Sequence, residues 1–380
     1  MCFTTRWAYA NLFPDYTANK FNRYDFGAYR LIIADVDGKA IIRNVNKSKQ
    51  KEIPIGSQII KVNGMPTAAY INKFVKPFIS QSTPKTLEVE SIRALFLGFP
   101  GDHYNIKLKK PQGEIISLGL THAKPEKSEF YPAIQDQPLF EYKPLSNNIA
   151  YIALNSFNNA KIDTEFLNKL PKLKTASAII IDLRNNGGGS GDVALNIAQY
   201  FIQGDIIYNE KVQTRRLIAA DRGVGSFFTP ADTVNGKPDW GLTKQQVINY
   251  YNKYIGDDYF TYENRAVALD RVQKLLVPTV ILTSYATASA AEDFLIFTDG
   301  QKQITRIGEN SNGSTGQPLQ VQLPGGGSAW ICTKKTFYPD GREFIGIGIK
   351  PNIKVVQTVQ DFIKNKDVVL QKAVEFLSKN

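Results

Sequence analysis

Ile179-Ile180-Ile181-Asp182-Leu183-Arg184-Asn185-Asn186-Gly187-Gly188-Gly189-Ser190-Gly191-Asp192 decides how the rest of the chain is read. The nearly unbroken apolar run Ser177–Leu183 suits a strand buried on both faces. Four glycines then fall within five residues, and a helical pattern follows over Gly191–Phe201, with Val193, Ile197 and Phe201 on one side. Glycines at such a junction allow positive φ and close approach of the backbone to a ligand. Free N–H groups beside a helix start form a concavity for negative charge. A plain tight turn would use the same residues. A phosphate-binding loop is also open, although neither the G-x-x-x-x-G-K-S/T nor the G-x-G-x-x-G spacing is present.

A second strand-to-helix junction reads Leu282-Thr283-Ser284-Tyr285-Ala286-Thr287-Ala288-Ser289-Ala290-Ala291-Glu292-Asp293-Phe294. Thr279–Thr283 is the buried strand and Ala290–Phe297 the helix. Ser289 places a hydroxyl at the helix N-terminus, where the dipole favours a developing negative charge. From this segment alone a plain N-cap is the stronger reading, with Glu292 completing a capping box.

Outward from these junctions, Ile149–Leu154 is expected as a strand and Ile304–Ile307 as a short one. Residues 204–272 read as a long insertion with one helical segment, Thr243–Tyr254. Ser328–Phe337 and Gly341–Ile349 read as late β structure. Asp367 is placed to cap a last helix that buries Leu370, Ala373, Val374 and Leu377. Upstream, Ala28–Val36 and Lys39–Val45 flank an Asp37-Gly38 turn, and Ile53–Gly64 fits a turn, a buried strand and an Asn-Gly turn. Ala69–Ile79 looks helical, and 103–119 looks like a hairpin around Pro111-Gln112-Gly113. The domains expected are an N-terminal remnant (1–25), a small α+β domain (26–121), a proline-rich linker or extended crossing segment (122–145) and an α/β domain (146–380).

Composition narrows the function. Of 380 residues, 43% are apolar and 21% charged, a globular profile, and no uninterrupted apolar stretch is long enough to span a membrane. The excess of 46 basic over 35 acidic residues is scattered without a basic block or reader motif, so no nucleic-acid partner is expected. The two cysteines, Cys2 and Cys332, lack zinc-like spacing, and no metal site is expected. They say nothing firm about redox compartment, and one bridge between them stays open. Met1–Trp7 does not have the charged start and apolar core of a signal peptide.

Taken together, Asp182-Leu183-Arg184-Asn185-Asn186-Gly187-Gly188-Gly189 and Thr287-Ala288-Ser289-Ala290-Ala291-Glu292 resemble the paired motifs of the C-terminal-processing (tail-specific) serine peptidases. That superfamily includes the tricorn protease core and the retinoid-binding repeats of the photoreceptor matrix. Arg306-Ile307-Gly308-Glu309, Leu323-Pro324-Gly325-Gly326-Gly327, Tyr338-Pro339-Asp340-Gly341 and Gly346-Ile347-Gly348-Ile349-Lys350-Pro351-Asn352-Ile353 resemble further family segments in the same order. The resemblance covers roughly 26–358. It implies an α/β fold: a ClpP/crotonase-like ββα-spiral peptidase core preceded by a PDZ-like α+β domain that reads peptide tails. It implies Ser289 as nucleophile, Ala290 N–H as one oxyanion donor, Gly188 or Gly189 as the other, and Gly187 and Ser314 as substrate-binding positions. The implied reaction is peptide hydrolysis through an acyl-enzyme, with a protein or peptide substrate and no cofactor. Family members usually work in the periplasm or at the cell surface, which would apply here if the N-terminus were incomplete. Oligomeric state is not implied.

The chain also departs from the family. Ser314 stands where Ser/Lys members have the lysine, and Lys334 and Lys335 lie too far along to match it. No Asp-x-His-Thr segment is present. His103 and His122 fall in or at the exit of the PDZ-like region, where loop histidines are ordinarily structural. Glu343 is out of register with the tricorn-type glutamate, and Asn352 replaces the aspartate of the closing motif. A serine without a base is a weak nucleophile. A non-catalytic binding protein on the same scaffold is therefore the alternative, and a crotonase-like acyl-CoA enzyme a weaker third, since no CoA-binding basic cluster is evident.

Overall fold

The computed structural model describes residues 9–10, 25–126, 129–215, 219–238, 242–262, 266–269, 273–315, 319–322 and 328–379. Cys2, Met1–Trp7 and the Leu323–Gly327 motif lie outside the described residues.

The centre of the molecule is a six-stranded sheet in the order Phe140–Pro144, Ile149–Leu154, Ala178–Asp182, Thr279–Thr283, Ile304–Gly308, Ile353–Lys354. Phe140–Pro144 runs antiparallel to its neighbour, and all later pairings are parallel. The isoleucine-rich strands are buried on both faces because helices cover both. Ile152, Ile179, Ile181 and Ile281 point into one cluster with Phe166, Ile197 and Phe294 from helices Lys161–Leu173, Gly191–Ala198 and Ala290–Phe297. Ile149, Tyr151, Ile180, Val280 and Ile307 point the other way, onto Val369, Ala373 and Leu377 of helix Val368–Lys379. Asp367 caps that helix, its Oδ1 accepting from Leu370 N–H at 3.0 Å.

The N-terminal unit has its own sheet, with Asp25–Phe26, Tyr29–Val36, Lys39–Asn46, Gln58–Val62, His103–Lys109 and Ile115–Thr121 as sequential neighbours. Helices Thr67–Phe74 and Pro84–Arg93 pack with it around a separate apolar core. The helix expected over 69–79 stops at Phe74 and gives way to a 3-10 turn at Lys76–Phe78, since Pro77 cannot donate to a continuing ladder. The helix Pro84–Arg93 was not anticipated. It starts with a Thr83 cap and Pro84 in the first turn, a signature that was there to be read.

Two other expectations need correcting. The proline-rich segment is not wholly a linker, because Phe140–Pro144 supplies the outermost core strand and rests Phe140 and Tyr142 on the core. Gly341–Ile349 is a succession of turns, with Gly341, Gly346 and Gly348 at φ of 90°, 79° and 82°, a region that breaks a strand. The insertion carries its predicted helix as Lys244–Ile255, between a Thr243 cap and left-handed Gly256.

One ion network fixes the sheet to its C-terminal helix. Arg184 bridges buried Asp182 and Asp367, its two terminal nitrogens meeting the Asp367 oxygens at 2.7 and 2.8 Å. Tyr151 adds a hydroxyl donor to Asp182. Removing the guanidinium would leave Asp182 buried without its counter-charge. Arg184→Ala is expected to lower the unfolding free energy by about 3–5 kcal/mol. Urea denaturation followed by circular dichroism checks this, and a loss below 1 kcal/mol would show that the network is not structural.

Candidate active site

The two junctions meet. A Cβ built on Gly188 would lie 2.5 Å from Ser289 Cβ and 2.8 Å from the Ala288 carbonyl oxygen, so only glycine allows this approach. Gly188 also sits at φ 102°, where L side chains are strained. Gly189 (φ 139°) is pressed as closely on Phe157, whose N–H donates to the Gly188 carbonyl at 2.9 Å. Side chains and backbone then stitch the loops together. Asn186 donates to Leu154 O and accepts from Gly188 N–H, while its carbonyl accepts from Ala288 N–H. Thr287 donates to Leu183 O, and Ser284 donates to Arg184 O.

Ser289 stands at the N-terminus of helix Ala290–Phe297 with φ 53° and ψ −126°. A non-glycine residue there is held against its backbone preference, and such strain collects at functional sites. Its N–H donates to the Ser314 carbonyl at 3.0 Å and to Glu292 Oε2 at 3.3 Å. The residue is partly exposed. Ala290 N–H and Gly189 N–H find no acceptor among the described residues, whereas Gly188 N–H is taken by Asn186.

Glu292 locks this arrangement from beneath. It is fully buried and accepts from Ser311 Oγ, Gly313 N–H, Ser314 N–H and Ser289 N–H. Burial pushes its pKa up to about 7 despite those four donors. Asp293 beside it is pushed well above the usual carboxylate range, by burial and then by the charges of Glu210 and Glu292.

The anticipated positions divide as follows. Ser289, Ala290, Gly188 and Gly189 come together. Gly187 is exposed on the same loop, and Ser314 meets Ser289 through its main chain. His103 and His122 belong to the N-terminal unit. His103 contacts Thr121 and Asn105, and buried His122 lies between the carbonyls of Asp25 and Phe96. Glu343 pairs with Lys335. Among the described residues no histidine, lysine or carboxylate hydrogen-bonds the Ser289 hydroxyl. Asn352 does the work of an acceptor, its Oδ1 taking Arg306 N–H at 2.8 Å. Sequence reasoning missed Asn186 and Ser311. The asparagine pair before the glycines was a signal for the first, and nothing local marked the second. Among the described residues no helix is long and apolar enough to cross a membrane, and no group of three or more potential ligands could hold a metal.

Comparison with known proteins agrees with this geometry. The pattern describing peptidase family S41 matches residues 148–355, more than half of the chain. Carboxy-terminal processing protease CtpA of Bacillus subtilis (strain 168) is 23% identical over 327 residues, covering 85% of this chain. The chain spans about half, 54%, of that relative's length. Mature CPAF complexed with lactacystin superposes with a TM-score of 0.63 at 14% identity, covering 97% of this chain and 86% of the other. Mature CPAF alone gives 0.63 at 14%, covering 96% and 82%. These two likenesses establish the α/β fold.

Two outcomes are expected. Gly188→Ala should destabilise by about 3 kcal/mol or more, through overlap with the serine turn and the positive φ, read as a fall in melting temperature. Glu292 holds its proton more tightly folded than unfolded, so its stabilising contribution is complete below about pH 4.5 and falls as pH rises to about 7. Across that window it should total about 3 kcal/mol. Glu292→Gln should abolish this slope, measured as the difference between wild type and variant in denaturation at pH 4.5 and pH 8. An identical pH dependence in both proteins would contradict the assignment.

Proposed function

Because the chain belongs to peptidase family S41, we propose that it is a serine peptidase that hydrolyses peptide bonds through an acyl-enzyme on Ser289 and processes the C-terminal tails of proteins. The observation that carries this reading is the contact of the strained Ser289 turn with the Gly188 backbone, beside two amide N–H groups that find no acceptor among the described residues. In this reading Ser289 Oγ attacks the substrate carbonyl. The developing oxyanion takes hydrogen bonds from Ala290 N–H and Gly189 N–H, reinforced by the dipole of the helix behind Ala290. The C–N bond breaks as the proton given up by Ser289 Oγ passes to the departing amine, and water then adds to the ester carbonyl, breaking the ester bond to release the acid and returning a proton to Ser289 Oγ. Gly189 is preferred to Gly188 because the Gly188 N–H already donates to Asn186. Gly187, exposed on the same loop, and Ser314 would line the bound peptide. The N-terminal unit would act as the PDZ-like reader, and the whole would work outside the cytoplasm, as the family usually does.

A second reading is a peptide-binding protein on the same scaffold. It is favoured by two observations: Ser314 occupies the lysine position, and no base among the described residues contacts the Ser289 hydroxyl.

A fluorophosphonate probe separates the two. The peptidase reading expects an adduct mapped by mass spectrometry to Ser289, and cleavage of an unstructured protein substrate that Ser289→Ala reduces at least about a thousandfold. A folded sample that neither forms the adduct nor cleaves would leave the binding reading.

A further inference from the structure

Strands Lys39–Asn46 and Gln58–Val62 are neighbours in the N-terminal sheet, yet they register at a single pair, Ile41 with Gln58. Past that pair the ladder stops. Gly38–Ala40 on one side and Ile59–Ile60 on the other border a groove of about 800 Å³, whose remaining walls come from helices Thr67–Phe74 and Pro84–Arg93. That volume is in the range of ligand sites. The groove is separate from the outer edge of Tyr29–Val36, where Asp25–Phe26 pairs only with Tyr29 and Arg30.

The lining has two chemical zones. Buried Ala40, Ile59, Ile71 and Ile92 make an apolar floor. Three lysines, Lys39, Lys76 and Lys85, stand at its rim against one carboxylate, Glu88. Glu88 is already matched by Lys85, which also meets Asp35 at 2.5 Å. Lys76 has no ion pair among the described residues. Lys39 has only a 3.5 Å contact with half-exposed Asp37, a weak pair. The weakly paired Lys39 and Lys76 therefore stand on different walls.

We propose that this groove binds an extended polypeptide segment in which acidic side chains alternate with apolar ones, taken from within a chain rather than from its end. The proposal rests on the reading above that this chain acts on polypeptides. The Ile59 carbonyl already accepts from Thr67 Oγ1 at 2.7 Å, so an extended backbone pairs along the Ala40 edge of the seam. One set of alternate side chains settles on Ile59, Ile71 and Ile92, and carboxylates of the other set reach Lys39 and Lys76. Two separated cations suit carboxylates spaced along a chain, whereas a terminal carboxylate presents a single charged point.

The test uses a fluorescent peptide, Asp-Val-Glu-Leu-Asp-Ile-Glu with an amidated end, titrated with the full chain and followed by anisotropy. It should bind at least about tenfold more tightly than its lysine-for-acid counterpart, and more weakly as salt rises. Ala68→Trp fills the groove from an exposed lining position, and Lys39→Glu with Lys76→Glu reverses its charge. Each should lose about tenfold in affinity while circular dichroism stays unchanged. Equal binding of the two peptides, unchanged binding by Ala68→Trp, or a tenfold preference for the free-carboxylate form would overturn the proposal. Probe labelling of Ser289 is read in parallel. Labelling without peptide binding defeats this inference alone, and peptide binding without labelling defeats only the peptidase reading.

Discussion

Gly188 approaches Ser289 so closely that a single methyl group on the glycine would collide with the serine's Cβ and with the backbone on either side of it. The contact joins two segments about a hundred residues apart in sequence, each delivered by a parallel strand of one buried sheet. Because Ala178–Asp182 and Thr279–Thr283 are direct neighbours, their C-terminal ends arrive together. The loops that leave them have to share one small volume. Three glycines in a row answer that need on one loop, and a run of Ala, Thr and Ser answers it on the other. The hydrogen bonds of Asn186, Ser284 and Thr287 then hold a register that packing has already narrowed.

Electrostatics works on the same contact from below. A carboxylate with no access to water is an expensive thing to ionise, and Glu292 meets that cost with four donors, three of them main-chain amides and two of those from Gly313 and Ser314. Those donors fix the loop after strand Ile304–Gly308, which returns a carbonyl to Ser289 N–H. The serine turn is thus held by a third strand of the sheet as well as by the glycine loop. The N-terminal unit touches the same region, where Arg93 donates to the Tyr285 hydroxyl at 2.7 Å.

Much of this was legible in the sequence because it is local. Apolar runs long enough for a strand, glycine clusters and a serine before a helical pattern all announce themselves within ten residues. The central strands, the helix Ala290–Phe297 and the last helix with its Asp367 cap lie where the periodicity put them. What was hidden is long-range. Nothing near Glu292 says that Ser311 and Gly313 will donate to it. Phe140–Pro144 has the prolines and charges of a linker, and only its neighbour Ile149–Leu154 makes it a strand. Gly341–Ile349 alternates apolar residues with glycine as a strand might, but three of its glycines take left-handed φ and turn the chain instead. The helix Pro84–Arg93 carries a local signal in Thr83-Pro84, a capping residue followed by proline in the first turn.

The left-handed backbone of Ser289 bears on how the site should be silenced in the laboratory. Alanine removes the hydroxyl and leaves the turn as tense as before, so whatever such a variant loses is traceable to the hydroxyl itself. Glycine would also remove the hydroxyl, but it would let the turn relax by about 1–2 kcal/mol and loosen its neighbours at the same time. Of the two blanks, alanine is the one that keeps the frame of the native molecule.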